Sequence, residues 1–387
     1  MNTFGIDYQP DVTMIALREQ GPDGAHVASV GDGVRAMIPN AASSDGLWAS
    51  RAVGSAQMHL PSGAPRAWID EPGAQLFWSG LYGRLYSYLG RLAPLRRNGY
   101  RTTVALQDPN YQTDAHAVAA LARVAGFDEI AVIPGTHALL CRCFASPPLS
   151  EPRPRTVVTI AVGETSTLVG GFHVEWDLRG LPTIRAASLP SSLEEAGYAT
   201  WNRSLLELLR TRLTEEPPEG YPVLLRDAAI RYAVRLSQAD AEQPVQWRET
   251  LEERLYAPLS LTYAQCAAWP ESVAFARQLP EAIRRALAAL GSTSADLLVV
   301  GGIGSIWPFA QRIAAPLGPV WWSGAAADDI AVGATWWGEL CEHPSGTLLT
   351  VAPSPETAAV QIGSVGPMPI QPATFVPPWE RRGADVD

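Results

Sequence analysis

The sequence contains no lysine; all 29 of its basic side chains are arginine. That excludes a phosphate-loop lysine, a Schiff-base lysine and any catalytic ammonium, because a guanidinium does not give up its proton in a protein. Cysteine is scarce as well. Cys141, Cys143, Cys266 and Cys341 are too few for a disulfide framework in 387 residues. Cys141 and Cys143 alternate along an apolar run, which points them to opposite faces of a strand or apart on a helix. No His or Cys pair elsewhere has zinc-finger spacing. Long apolar runs are missing too: none reaches membrane-spanning length, and the opening MNTFGIDYQP lacks the basic and apolar regions of a signal peptide. The expectation is a cytoplasmic protein that does not use a membrane. A net charge of −10 argues against general nucleic-acid or anionic-membrane binding. No G-x-S-x-G elbow and no Ser/His/Asp grouping is present.

The chain is long enough for two lobes with separate cores, and its 47% apolar content is ordinary for a soluble protein. Its organising stretch is ADLLVVGGIGSIWPFAQRI, residues 295–313. Leu297–Val300 is a continuous apolar run, as in a strand buried on both faces. Gly301 and Gly302 end it, and Pro308 suits the first turn of a helix. The paired glycines permit a flat ligand ring to approach the backbone, since no side chain stands in the way.

From the N-terminus, Phe4–Ile6 and Val12–Leu17 read as a hairpin around Gln9-Pro10-Asp11. A second hairpin is expected between 26–30 and 34–38, through Gly31-Asp32-Gly33. Trp48–Gly54 reads as extended, followed by a Pro/Gly-rich loop. Helical spacing over 76–91 places Leu81, Leu85, Tyr88 and Leu92 on one face. Thr102–Leu106 is a strand, and Asp114 is the expected N-cap of a helix through Ala125 that Gly126 ends. Ile130–Ile133 is the next strand, and 138–144 is short and apolar. The Pro-rich stretch 146–154 is the expected boundary between lobes. Beyond it, strands at 157–162, 166–172 and 184–189 repeat the opening pattern. Helices are expected near 193–213, 224–236, 271–290 and 329–339. After Cys341 the chain reads as an irregular tail. The expected domains are therefore 1–150, 151–340 and 341–387.

In order and spacing these stretches resemble the nucleotide-binding domain of DnaK-type heat-shock chaperones, within the actin, hexokinase and heat-shock ATPase superfamily. The resemblance covers roughly residues 4–340. It is carried by FGIDYQP, IPNAASSDGLWASRAVGSA, TVALQDPNYQTDAHAVAALARVAGFDEIAVIPGTHALL, VVTIAVGETSTLVGGF, VVGGIGSIWP and DDIAVGATWWGEL. It implies an α/β, actin-like two-lobed fold: duplicated ribonuclease H-like mixed sheets with flanking helices around a central cleft for ATP and Mg²⁺. It places Asp7 at the first phosphate loop, as the acid toward the metal. Gly163 and Ser166 fall in the second phosphate loop, and Gly301 and Gly302 in the adenosine loop. The chaperones' peptide-gripping β-sandwich has no room in the short tail.

The family's chemistry is depleted. Gln9 and Pro10 replace the Gly and Thr of the first loop, so an N–H and a hydroxyl disappear together. Ala161 replaces the acid of the second loop. The catalytic Glu falls on Pro134, the lysine on Met58, and a Gly-Gly pair on Ser191-Ser192. The adenosine-holding helix positions fall on Ile230, Ala233 and Val234. Asp7, Asp11 and Glu164 could gather acid in the cleft but read as solvated loop residues, and His137 reads as a packed core residue. Trp321-Trp322 and Trp336-Trp337 read mostly as packed core, and any ring left exposed would offer aromatic surface for a protein partner. The expected function is a chaperone-like, non-catalytic or weakly nucleotide-binding module that binds another protein, with no tightly bound cofactor. The alternatives are a divergent active ATPase and an actin-like filament former.

Overall fold

The computed structural model describes residues 2–10, 12–21, 24–30, 38–40, 42–43, 49, 58–59, 72–92, 100–107, 111–127, 129–144, 153–176, 182–212, 229, 232, 235–236, 238–247, 259–302, 310–322 and 328–342. All of these lie in one compact unit, Met1–Ala352. The stretches 31–37, 44–48, 145–152, 303–309 and 343–387 lie outside the described residues. So do the expected turn at Gly31–Gly33, most of the extended segment from Trp48, the 146–152 part of the expected lobe boundary, Pro308, and Ile230, Ala233 and Val234.

The fold is mixed α/β, built on two mixed sheets. In the first sheet, β1 (Asn2–Tyr8) lies antiparallel to β2 (Val12–Gly21), which pairs antiparallel with β3 (Gly24–Ser29). The short β4 (Ile38–Pro39) pairs with Val12 and Thr13. Ile38 therefore follows β3 end to end along one edge of β2, rather than lying beside it as the expected second hairpin had it. A separate two-stranded ladder joins β5 (Ala42–Ser43) to β6 (Met58–His59). After helix α1 (Pro72–Leu92), β7 (Tyr100–Leu106) pairs parallel with β1. Helix α2 (Tyr111–Ala125) then leads to β8 (Ile130–Pro134), parallel to β7, and to helix α3 (Gly135–Arg142).

Helix α2 starts three residues before Asp114, which therefore sits buried in the first turn and is not the N-cap. A carboxylate in the first turn still complements the positive end of the helix dipole. The C-terminus follows the expectation. Gly126 takes φ +107°, its N–H reaches the Arg123 carbonyl, and the Phe127 N–H reaches that of Ala122. That is a Schellman closure, which favours glycine.

The second sheet repeats the first. Strand β9 (Arg155–Val162) pairs antiparallel with β10 (Thr167–Trp176), and β10 with β11 (Pro182–Ala186). The short β12 (Ser191–Leu193) continues β11's edge along Thr167–Val169, as β4 continues β3's. Helix α4 (Tyr198–Arg210) begins after Glu195 and Gly197 turn the chain, five residues later than expected. A hairpin of β13 (Val245–Gln246) and β14 (Ser260–Leu261) is tied by the Tyr232 hydroxyl, which donates to the Val245 carbonyl and accepts from the Leu261 N–H. Helices α5 (Tyr263–Ala267) and α6 (Pro270–Ala289) precede β15 (Leu297–Gly301), which is parallel to β9. Helix α7 (Ala310–Ala314) then leads to β16 (Val320–Trp322), parallel to β15, and to α8 (Asp329–Glu342). The strand orders are β3-β2-β1-β7-β8 and β11-β10-β9-β15-β16, with the same senses throughout.

Alternation along each strand divides the core into layers. Phe4, Ile6 and Tyr8 face α1 and α2, where Phe77, Trp78, Leu81, Leu85, Val118 and Leu121 meet them. Val158, Ile160, Val162, Leu298 and Val300 face α4 and α6. The opposite faces of the two sheets turn toward α3 and α8. Here each half lends its last helix to the other. Helix α8 packs on β1, β2 and β7 of the first sheet, while α3 packs on β9, β10 and β15 of the second. Gly5 of β1 lets α8 approach, since a Cβ there would strike the Ala331 carbonyl oxygen. Gly301 does the same for Leu139 of α3.

Candidate functional site

Two parallel strand pairs, β1 with β7 and β9 with β15, end close together, and their carboxyl ends carry the polar residues of interest. In open α/β sheets this is where ligands bind, because the loops that follow can converge there without interrupting a ladder. Asp7 is the penultimate residue of β1 and lies on its inner face with Thr3 and Gly5. Gln107 follows β7, Gly163 follows β9, and Gly302 follows β15.

The fold gathers Asp7, Gly163, Ser166 and Gly302 around a residue that sequence reasoning passed over, Gln107. Gln9 Nε2 donates to Asp7 Oδ2 at 2.9 Å, and Gln107 Nε2 donates to Asp7 Oδ1 at 3.5 Å. Ser166 Oγ donates to the Gln107 carbonyl at 2.8 Å. A Cβ placed on Gly163 would lie 3.0 Å from Gln107 Oε1, and one on Gly302 would lie 3.3 Å from Gln107 Nε2. On Gly135 it would lie 2.8 Å from Gln107 Cγ. Gly302 also has φ +92°, a left-handed backbone that only glycine adopts without strain. Gly301 is one step removed, paired in the ladder with Ala161 and facing Leu139.

The loops are closed on themselves. The Gln9 N–H reaches the Val12 carbonyl at 3.1 Å. The Asn40 carboxamide donates to the carbonyls of Gln9 (2.6 Å) and Pro10 (3.1 Å), and accepts from the Thr13 hydroxyl at 2.6 Å. In the second loop the Gly163 N–H reaches the Ser166 carbonyl, while the carbonyls of Gly163 and Glu164 accept from Tyr198 and Ala199. Those last two are the first N–H groups of α4, which an anion at a helix N-terminus would otherwise use. Ser191–Leu193, where the resemblance has glycines, forms β12.

Burial corrects one expectation. Asp7 and Glu164 are not solvated loop acids: Asp7 is 0% exposed and Glu164 is 1% exposed. Asp11 lies outside the described residues. Burial pushes the Asp7 carboxyl up to about 7, against the smaller downward pull of the Gln9 and Gln107 hydrogen bonds. The acceptor oxygens Oε1 of Gln9 and Gln107 are buried without a hydrogen-bond partner. The cluster thus has its N–H groups turned onto a carboxylate and its unfilled positions on acceptors. In this closed arrangement Asp7 has no exposed surface for a reacting atom.

Other candidates are packing residues. His137 lies edge-on to Phe172 (5.0 Å) and Trp337 (6.2 Å), with Nδ1 3.3 Å from the Thr136 hydroxyl, and burial lowers its pKa to about 4. Cys141 is buried in α3 and Cys143 just beyond it, where burial raises the Cys143 thiol; Cys266 is raised to about 12 for the same reason. Among the described residues no group of three or more His, Cys, Asp or Glu side chains is placed to hold a metal ion. Among them, too, no helix is long and apolar enough to cross a membrane. Trp336 packs against the buried Arg18 guanidinium at 3.9 Å, and Trp321 and Trp337 are half-buried against the core between the sheets. No protein-family model matches this chain, and no curated protein matches it.

Proposed function

We propose that the chain has the actin-like, two-lobed ATPase fold and acts as a non-catalytic module that binds another protein. The strand order and senses of the two sheets, found twice, are those expected of a duplicated ribonuclease H-like sheet, which supports the fold reading. The observation that carries the functional reading is Gln107. Its side chain fills the point where the first phosphate loop, the second phosphate loop and the adenosine loop would receive a nucleotide.

The residues present do not fit a magnesium nucleotide. A phosphate needs N–H and O–H donors, yet the Gln9 and Gly163 N–H groups and the Ser166 hydroxyl are already bonded within the protein. In the side chains of Gln9 and Gln107 the buried atoms without a partner are acceptors, their Oε1 atoms. A divalent ion needs oxygen from Asp7, whose two oxygens face amide N–H groups. Each lost hydrogen bond to a charged phosphate costs about 1.5–3 kcal/mol, so three such losses remove more than a thousandfold in affinity. The half-buried tryptophans, together with Phe144 and Trp176, supply aromatic surface of the kind that anchors protein interfaces.

Calorimetric titration of Mg-ATP into metal-stripped protein tests this. A Kd in the millimolar range or weaker is expected. A Kd below about 50 μM would overturn it in favour of an active, divergent ATPase.

A further inference from the structure

The Gln107 carboxamide occupies its place like a bound ligand. It sits at the carboxyl ends of two parallel strand pairs, fills the space that a Cβ on Gly135, Gly163 or Gly302 would need, and turns its amide N–H toward a buried carboxyl group. Above about pH 7, where Asp7 is ionised, its carboxylate only accepts hydrogen bonds, so an N–H must face it. Gln107 is itself 94% buried, yet its Oε1 has no partner, so the protein does not satisfy the amide fully.

We infer that the Gln107 side chain is a built-in plug in a ligand site formed by Asp7, Gly135, Gly163 and Gly302, and that the guest this site accepts is a neutral planar group presenting an N–H, such as a primary carboxamide. The chemistry of the plug defines the class. Size is limited by the glycine positions, whose added Cβ atoms would all fall within 3.3 Å of Gln107, and planarity is that of the carboxamide that now fills the space. Above about pH 7 the N–H is required by ionised Asp7 and anions are excluded by the same carboxylate, and the Ser166 hydroxyl is already held by the Gln107 backbone carbonyl, which any substitution at 107 retains. In the wild-type chain a guest enters only if the Gln107 side chain rotates out. The inference does not depend on the nucleotide reading, because amide binding and Mg-ATP binding are measured separately.

The test is thermal unfolding at about pH 8.5, where Asp7 is ionised, of the full chain as wild type, Gln107→Ala and Gln107→Met, each with propionamide or sodium propionate titrated to about 50 mM. A ligand that binds only the folded state raises the melting temperature saturably. Propionamide is expected to restore at least half of the melting temperature lost in Gln107→Ala. Propionate should not restore it, and neither additive should act on Gln107→Met, where the side chain still fills the space. Should Gln107→Ala not fold, Gln107→Ser carries the same comparison. An equal effect of propionamide on all three chains, equal rescue by propionate, or no rescue in the truncated variant overturns the inference.

Discussion

Gly333 of α8 lies directly against Ala138 of α3: a Cβ on Gly333 would penetrate the Ala138 carbonyl oxygen and crowd Arg142 Cβ at 3.1 Å. The two helices belong to different sequence halves, and they cross in backbone contact. Gly333→Ala is therefore expected to cost at least about 3 kcal/mol, because the obstacle is main chain and cannot rotate away. Gly291→Ala is the control. It has φ +66° but open space around it, so only the left-handed backbone is penalised, about 1 kcal/mol. Urea unfolding of both variants checks the contrast.

The same crossing is fastened by charge. Arg142 Nε, in the last turn of α3, lies 3.4 Å from Oδ1 of Asp329, in the first turn of α8, and Asp329 is fully buried. Each charge also complements its own helix dipole. Arg142→Met is expected to destabilise by about 3–5 kcal/mol, since a buried carboxylate loses its counter-ion. Adding Asp329→Asn should recover part of that loss, and a double-mutant cycle in urea measures how much.

Asp7 makes stability fall as pH rises. Its folded pKa, about 7, lies above the ordinary 3.8, so the folded chain holds the proton that the unfolded chain has released between those values. The contribution is complete below about pH 4 and is lost as pH climbs through 7. At about 1.4 kcal/mol per pH unit the penalty reaches on the order of 4 kcal/mol. Asp7→Asn, permanently neutral, is expected to be more stable than wild type at pH 8 and to lose that slope. If the two chains give parallel pH profiles, Asp7 is not buried as described.

His137 acts with the opposite sign. Its pKa is depressed to about 4, so its contribution is present above about pH 6.5 and is lost as pH falls toward 4. His137→Gln should flatten the acid side of the profile by up to about 3 kcal/mol. Imidazole NMR is the direct check: the His137 signal is expected to remain neutral at pH 5.5.

Local signals were read well from sequence. The run Leu297–Val300 is buried throughout, the hairpin around Gln9 and Pro10 forms, and Gly126 ends its helix. Elements without a periodic signature were not. Ser191–Leu193 is a strand only because β10 offers an edge, and residues 138–142 belong to a helix whose apolar character runs all round, because it is buried on nearly every side. The site divides in the same way. Asp7, Gly163, Ser166 and Gly302 were singled out by the resemblance, and they lie near one another, Asp7 near the end of β1 and the others in the loops after β9 and β15. Gln107 and Asn40 were not, because what makes them matter is contact with residues 100 and 31 positions away.

The exchange of final helices also governs how the chain can be made. A growing polypeptide that has emerged only as far as α3 has every strand of its first sheet, but the helix that covers the inner face of β1 is not synthesised until residues 329–342. Helix α3, already made, waits for strands β9, β10 and β15 that do not yet exist. The nascent first half should therefore remain protease-sensitive on the ribosome until the last helix is released. Separately expressed pieces cut within 145–152 should each be unfolded alone, yet should reconstitute a folded heterodimer when mixed.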